Sequence, residues 1–214
     1  DQSMVFSVKQ LAGVQAVFGV TPFELWLLKG SDMPPTLHPV YPVTMTVGDQ
    51  NPMYKEMPPK LLWALWGRML SFMRPMALLP RVLGQQQFRV LMESALFLTD
   101  TTARYATDAK ELEKVARSLL KVEGLEGALR AVDKTGMSRK QVPDLELFYE
   151  GLEHTAVRAS LIACNDVDTV LQVLKIQDPQ SPPVPKNRLR ELILFLVSDQ
   201  YAELRARLGL ALKG

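Results

Sequence analysis

The residues with the greatest chemical potential sit at Glu150-Gly151-Leu152-Glu153-His154 and at the single cysteine, Cys164. Carboxylates beside a histidine on a helix suggest a metal site, but such a site needs further ligands at i+3 or i+4, or on a facing helix. Position 151 is glycine, so no Glu-x-x-His is formed, and the only other histidine, His38, lies in a proline-rich stretch far along the chain. His154 therefore reads as a pairing or capping residue on a helix surface. Cys164 ends the apolar run Ser160-Leu161-Ile162-Ala163 and reads as a buried, inert thiol. The nucleophile-elbow Gly-x-Ser-x-Gly, the phosphate-binding Gly-Lys-Thr/Ser loop and the dinucleotide Gly-x-Gly-x-x-Gly are all missing from the sequence. One Cys and two His supply neither an intramolecular disulfide nor a usual structural zinc site. The expectation is a protein without catalysis, cofactor or metal.

Charge leaves one further candidate. The chain has 25 Lys plus Arg against 23 Asp plus Glu, a net +2 that excludes a strongly basic nucleic-acid protein by bulk charge. Between Glu56 and Glu93 there is no acidic residue, while Lys60, Arg68, Arg74, Arg81 and Arg89 alternate with Trp63, Trp66, Phe72 and Phe88. Arg68, Arg74, Arg81 and Arg89 are thus candidates for contact with RNA, an acidic protein surface or, peripherally, anionic lipid. The competing reading places Trp63 and Trp66 in a core. A second basic group, Lys186, Arg188 and Arg190 with Arg205 and Arg207, is offset by Glu191 and Glu203 and reads as a solvated helix face.

The elements that position these residues follow from periodicity. With 214 residues, 47% of them hydrophobic, the chain can build a substantial core. Met4 to Phe18 is apolar and reads as helix or strand. Thr21-Pro22-Phe23-Glu24 has the form of a capping box, which predicts a helix closed by Gly30 with Phe23, Trp26 and Leu27 inward. Residues 31–59 carry seven of the fifteen prolines together with Leu37, Val40, Tyr41, Val43, Met45, Val47 and Tyr54. Proline opposes regular structure, yet the segment is too apolar for a solvated linker, so it reads as an extended arm lying on its own core or on a partner. Trp26, Tyr41 and Tyr54 are the predicted partner contacts.

From Lys60 the pattern is helical. Trp63, Trp66, Leu70 and Met73 form a stripe up to Pro75, a further helix is predicted over 85–106, and Asp108 with Glu111 can cap the next. The most apolar stretch, 61–83, contains Arg68, Arg74, Arg81, Pro75 and Pro80, which excludes a membrane span. Three helix pairs follow: 108–122 with 125–134, 144–164 with 167–176, and 186–197 with 201–212. Shifting the third back by 34 places Leu196 on Ile162, Tyr201 on Val167 and Leu204 on Val170; shifting the second back by 42 places Ile162 on Leu120 and Val167 on Leu125. Hairpins at such intervals predict a helical solenoid.

The run Val122-Glu123-Gly124-Leu125-Glu126-Gly127-Ala128-Leu129-Arg130-Ala131-Val132, followed by Lys134-Thr135-Gly136-Met137 and Val142-Pro143-Asp144, resembles a pentatricopeptide (PPR) repeat. The second and third pairs lack the glycine turn, and the joint at 178–185 is longer than that family's. Most PPR-like modules are organellar and read single-stranded RNA; a minority are protein-binding subunits. In size, near-neutral charge and non-helical arm the chain is also similar to the PPR-like accessory subunit of euglenozoan mitochondrial ATP synthases. The start at Asp1, without an initiator Met, agrees with a mature form whose leader has been removed, or with an end left by cloning. The expected architecture is all-α, with residues 1–59 as N-terminal helix and arm and 60–214 as a PPR/TPR-like helical domain. The expected role is a non-catalytic accessory subunit of a larger mitochondrial complex; a small RNA-binding PPR protein is the alternative. Removal of 31–59 is expected to abolish assembly and to spare RNA affinity.

Overall fold

The computed structural model describes residues 2–19, 22–51, 57–125, 127, 144–177 and 186–210. It is mostly helical and contains one small sheet. In chain order the elements are α1 (Gln2–Phe18), β1 (Glu24–Leu28), β2 (Thr36–His38), β3 (Thr44–Gly48), α2 (Pro59–Ser71), α3 (Pro75–Phe97), α4 (Ala109–Leu119), α5 (Leu145–Cys164), α6 (Val167–Gln177), α7 (Lys186–Leu196) and α8 (Asp199–Arg207). Two compact units divide the chain: Asp1–Leu78 with Gly151–Gly214, and Leu79–Glu150. That division does not follow the boundary expected at 59/60, because residues of the N-terminal segment share one core with the later helices.

The all-α expectation fails at 24–48. Where a capped helix was expected from Thr21 to Gly30, the chain forms β1, which pairs in parallel with β3; β2 pairs with the other side of β3, antiparallel. The register explains why pairing prevails over the local helix signal. Leu25 stands beside Met45, which stands beside Leu37, and Leu27 stands beside Val47, so one sheet face is apolar throughout. Met45, Val47 and Leu37 are buried in the main core. A helix over 21–30 would leave those partners uncovered, and tertiary burial outweighs a capping box. The prolines obey the sheet's rules: Pro34, Pro35 and Pro39 flank β2 and Pro42 precedes β3, where no ladder donor is required. Gly48 is required by close approach, since a β-carbon there would lie 2.4 Å from the Ser31 carbonyl oxygen. Leu37, Met45 and Val47 thus carry the described part of the arm onto its own core.

At the centre of the larger unit is α2. Its residues Leu61, Leu62 and Ala64 through Ser71 are buried, which makes it a helix enclosed on nearly all sides and not one with a single inward stripe. Its neighbours in the same cluster come from α1 (Leu11, Val14), α5 (Ala156, Leu161), α6 (Val170, Val173), α7 (Leu192, Phe195) and α8 (Tyr201). Trp66 is buried, and Trp63 is half-buried and donates from Nε1 to Gln10 Oε1. Both therefore answer to the core reading.

The turns of the last two hairpins agree with the periodicity, while the final helix ends at Arg207, before the 212 expected, where Gly209 takes φ 69°. Asn165 adopts φ 55° and Asp166 Oδ1 accepts from the backbone N of Asp168 (3.0 Å), starting α6. The hydroxyl of Ser198 accepts from Tyr201 N (3.2 Å), starting α8. The second hairpin is fastened to the first: Tyr201 Oη donates to Asn165 Oδ1 (2.6 Å) and Arg205 Nη1 to the Ile162 carbonyl (2.5 Å). Of the earliest pair, α4 is present with Asp108 as its cap, and most of 125–134 lies outside the described residues. The PPR-like run at 122–144 lies largely outside them as well.

Lys60 pairs with Asp166, and that hydrogen bond, ahead of those from Thr169, holds the Asp166 carboxyl below its ordinary value of 3.8. A depressed carboxylate contributes stability above the unfolded value, and the contribution is lost as pH falls through the folded value. Asp166→Ala is therefore expected to cost about 1 kcal/mol at neutral pH, mostly as a lost helix cap, since the ion pair is solvent-accessible. Urea titrations from pH 7 down to pH 2 should show the gap between variant and parent closing only below about pH 4.

Helix α3 bends at Gly84 (φ 73°) and ends at Phe97, earlier than the 106 expected from periodicity. Asp100 stops the continuation by accepting from Thr102 N (2.9 Å) and Thr102 Oγ1 (2.7 Å). Phe88 stacks on Phe148 at 5.9 Å, and Tyr149 Oη donates to the Pro80 carbonyl (2.9 Å). Among the described residues no helix is long and apolar enough to cross a membrane.

Candidate interaction surface

The predicted contacts Trp26 and Tyr41 both reach solvent. Trp26 lies at the middle of β1 on the sheet face opposite the core, 59% exposed, with its Nε1 donating to Glu24 Oε2 (2.9 Å). Neighbours on that face are Thr46 and Thr36 in one row and Glu24, Thr44 and His38 in the next. His38 Nε2 lies 2.9 Å from Thr46 Oγ1, so this histidine serves the sheet. Tyr41 is in the β2–β3 loop and is fully exposed at 101%, next to the exposed Val40. Leu27 at the sheet edge and Met33 in the β1–β2 loop are exposed as well. Tyr54 lies outside the described residues. The sheet and its loops thus present several large apolar side chains to solvent within one short span of chain.

The arginine candidates behave differently from one another. Arg68 is 5% exposed: Nη2 donates to Glu153 Oε2 (2.6 Å), Nε to Gln177 Oε1 (2.6 Å), and the guanidinium lies 5.4 Å from the Phe72 ring. It serves the interior and is not presented to an anionic surface. Arg74 is exposed at the start of α3, in the larger unit; Arg81 and Arg89 belong to the smaller one. In that smaller unit Arg89 and Arg104 line a cleft of about 320 Å³ together with Glu93, Asp144 and Glu146. Three carboxylates face two guanidinium groups there, so a phosphate would meet no net positive charge. The acidic neighbours come from beyond 92 and from the start of α5, which is why a reading limited to 57–92 missed them. Glu93 is itself structural, since it is 2% exposed, accepts from Thr107 N (2.8 Å) and Ala106 N (3.3 Å), and fixes the approach to α4. The later basic group is also divided. Arg205 turns inward to carbonyls of Ile162 and Leu210, while Arg207 pairs with Glu203 at 3.6 Å on the surface.

The candidate chemical groups at 150–164 all lie on α5. Glu153 is committed to Arg68, and Glu150 and His154 stand one turn apart on the same helix, α5. His154 lines a void of about 10 Å³ with Val157, Leu171, Leu174, Leu192 and the ion-paired Arg158 and Glu191, room for a single water at most. Cys164 is buried, and burial pushes its thiol up to about 11, which keeps it protonated and unreactive at neutral pH. Among the described residues no group of three or more His, Cys, Asp or Glu is placed to hold a metal ion. Comparison with models of known families, with curated proteins and with solved structures returns no match.

Proposed function

We propose that this chain is a non-catalytic accessory subunit that docks on other proteins of a larger assembly, with Trp26 and Tyr41 among its contacts. The observation that carries the reading is the exposure of Trp26 and Leu27 on the sheet and of Tyr41, Val40 and Met33 in its loops. Interfaces are enriched in Tyr, Trp and Met, and such residues on a preformed scaffold bind with little ordering cost. The two joined hairpins, α5–α6 and α7–α8, support the finer reading that the helical part is a short PPR-like solenoid. The PPR-like resemblance alone supports a mitochondrial location, and likeness of overall build alone supports membership of an ATP synthase. RNA binding through Arg74, Arg81 and Arg89 is the second reading, weakened by the carboxylates around Arg89 and by the internal role of Arg68.

Deleting 31–59 would remove β2 and β3 and expose the core, so point substitutions are the proper test. The native size of the tagged chain in gently solubilised mitochondria is the measurement, with and without ribonuclease. A large ribonuclease-resistant species is expected, and Tyr41→Ala should shift most of the protein to a smaller species without changing its melting temperature. A species that shrinks with ribonuclease would favour the RNA reading. A freely migrating single chain would overturn both.

A further inference from the structure

The two edges of the sheet differ in a way that bears on association. At one edge, β2 is three residues long and is bounded by Pro34, Pro35 and Pro39, devices that prevent further strand pairing. At the other edge, β1 is five residues long, Glu24-Leu25-Trp26-Leu27-Leu28, with neither proline nor lysine inside it. Among the described residues no strand pairs with its outer side.

The ladder shows which groups face outward. Glu24 N donates to the Val43 carbonyl (2.8 Å) and the Leu28 carbonyl accepts from Asp49 N (3.1 Å). In a parallel pair, alternate residues direct both main-chain groups to the same neighbour, so Glu24, Trp26 and Leu28 face β3. The N–H and C=O groups of Leu25 and Leu27 point away from the sheet. Leu27, though its side chain lies on the core face beside Val47, is 46% exposed at this edge, with no strand on its outer side among the described residues.

We infer that this edge is the seam of a homodimer, in which β1 pairs antiparallel with β1 of a second copy about a twofold axis at Trp26. The pattern is self-complementary in that arrangement. Leu25 and Leu27 of one copy oppose Leu27 and Leu25 of the other as hydrogen-bonded pairs, and all four outward main-chain donors find acceptors. On the core face, Leu27 gains the other copy's Leu25 as its missing neighbour. On the outer face the two Trp26 rings lie directly opposite each other at the axis, the closest kind of cross-strand pair. Charge selects the antiparallel sense: each strand begins at Glu24 and is followed by Lys29, so antiparallel pairing sets acid beside base and parallel pairing sets like beside like. A register centred on Trp26 overlaps all five residues of both strands and yields a continuous six-stranded sheet. This goes beyond the assembly reading and does not depend on it: it assigns Trp26 and Leu27 to the contact between copies and leaves Tyr41, Val40 and Met33 to other proteins.

The test is the mass of the purified full chain by sedimentation equilibrium. Twice the 24.0 kDa of the chain is expected. Leu27→Pro removes one outward donor per copy without touching the internal ladder, and should raise the dissociation constant by about tenfold or more with an unchanged circular dichroism spectrum. Trp26→Lys and Trp26→Glu place like charges at the axis and should each give monomers, while an equimolar mixture of the two should recover the dimer mass. That recovery depends on residue 26 facing itself, so it decides the matter even if Leu27→Pro fails to fold. A wild-type chain that stays monomeric up to its solubility limit, or a dimer indifferent to both Trp26 substitutions, would overturn the inference.

Discussion

Replacing Gly67 by leucine is expected to lower the thermal midpoint by about 10 °C, equivalent to about 3 kcal/mol for a chain of this size. Gly67 is on α2 where that helix crosses α5. A β-carbon there would lie 2.9 Å from the Ala159 carbonyl oxygen and 2.9 Å from the Ala163 β-carbon. Neither neighbour can yield easily, because one is helix backbone and the other is a methyl fixed directly to it. The same crossing is tied by Ser160 Oγ, which donates to the Ala64 carbonyl at 2.8 Å in a fully buried position. Larger side chains must therefore drive the helices apart, separating Leu65, Leu70 and Leu161, which are fully buried in the same cluster. Gly67→Ala should cost less, about 1–2 kcal/mol, because alanine's better helix propensity offsets part of the overlap. Differential scanning calorimetry of both variants checks the order. A leucine variant as stable as the parent would mean that the helices do not cross at this distance.

Arg68→Met is expected to destabilise the protein by about 3 kcal/mol at neutral pH. Arg68 is nearly buried, and its removal leaves the Glu153 carboxylate and the Gln177 carbonyl without their guanidinium donor. The loss arises from the abandoned acceptors more than from the pair itself, since desolvating two ions consumes much of their attraction. The double variant Arg68→Met with Glu153→Leu should therefore recover most of the loss, a non-additivity that urea denaturation of the four proteins would measure. If the double variant were the sum of the two single ones, the ion pair would not be the organising contact. The same experiment bears on function. Should Arg68 instead contact an external anion, its removal would weaken that binding and leave stability unchanged.

Much of the helical fold is legible in the sequence. The starts of α4 at Asp108 and α8 at Ser198, the turn at Asn165-Asp166 and the break at Pro75 depend on side-chain caps, a positive φ and a missing donor, all within a few residues of chain. The tryptophans at 63 and 66 belong to the core as their spacing implies. Three features were not legible, each for a non-local reason. The strand at 24–28 carries a helix-start signal, and only the apolar partners at 45 and 47 turn it into sheet. The arginines at 68 and 205 belong by spacing to basic groups, but distant acceptors, Glu153 and the Ile162 carbonyl, draw them inward. The cleft around Arg89 owes its acidity to Asp144 and Glu146, which only the fold brings near.

By itself the sequence determined that this is a predominantly helical chain with a near-neutral surface and a large apolar content, because composition and 3.6-residue periodicity act along the chain. It also marked Trp26 and Tyr41 as residues to watch. Whether a given apolar or charged group is covered was decided only by the tertiary structure. The sheet covers Met45 and exposes Trp26; the core takes Arg68 and leaves Arg74 outside. Burial depends on what lies on the far side of a residue, and that neighbour comes from a part of the chain that local pattern cannot identify.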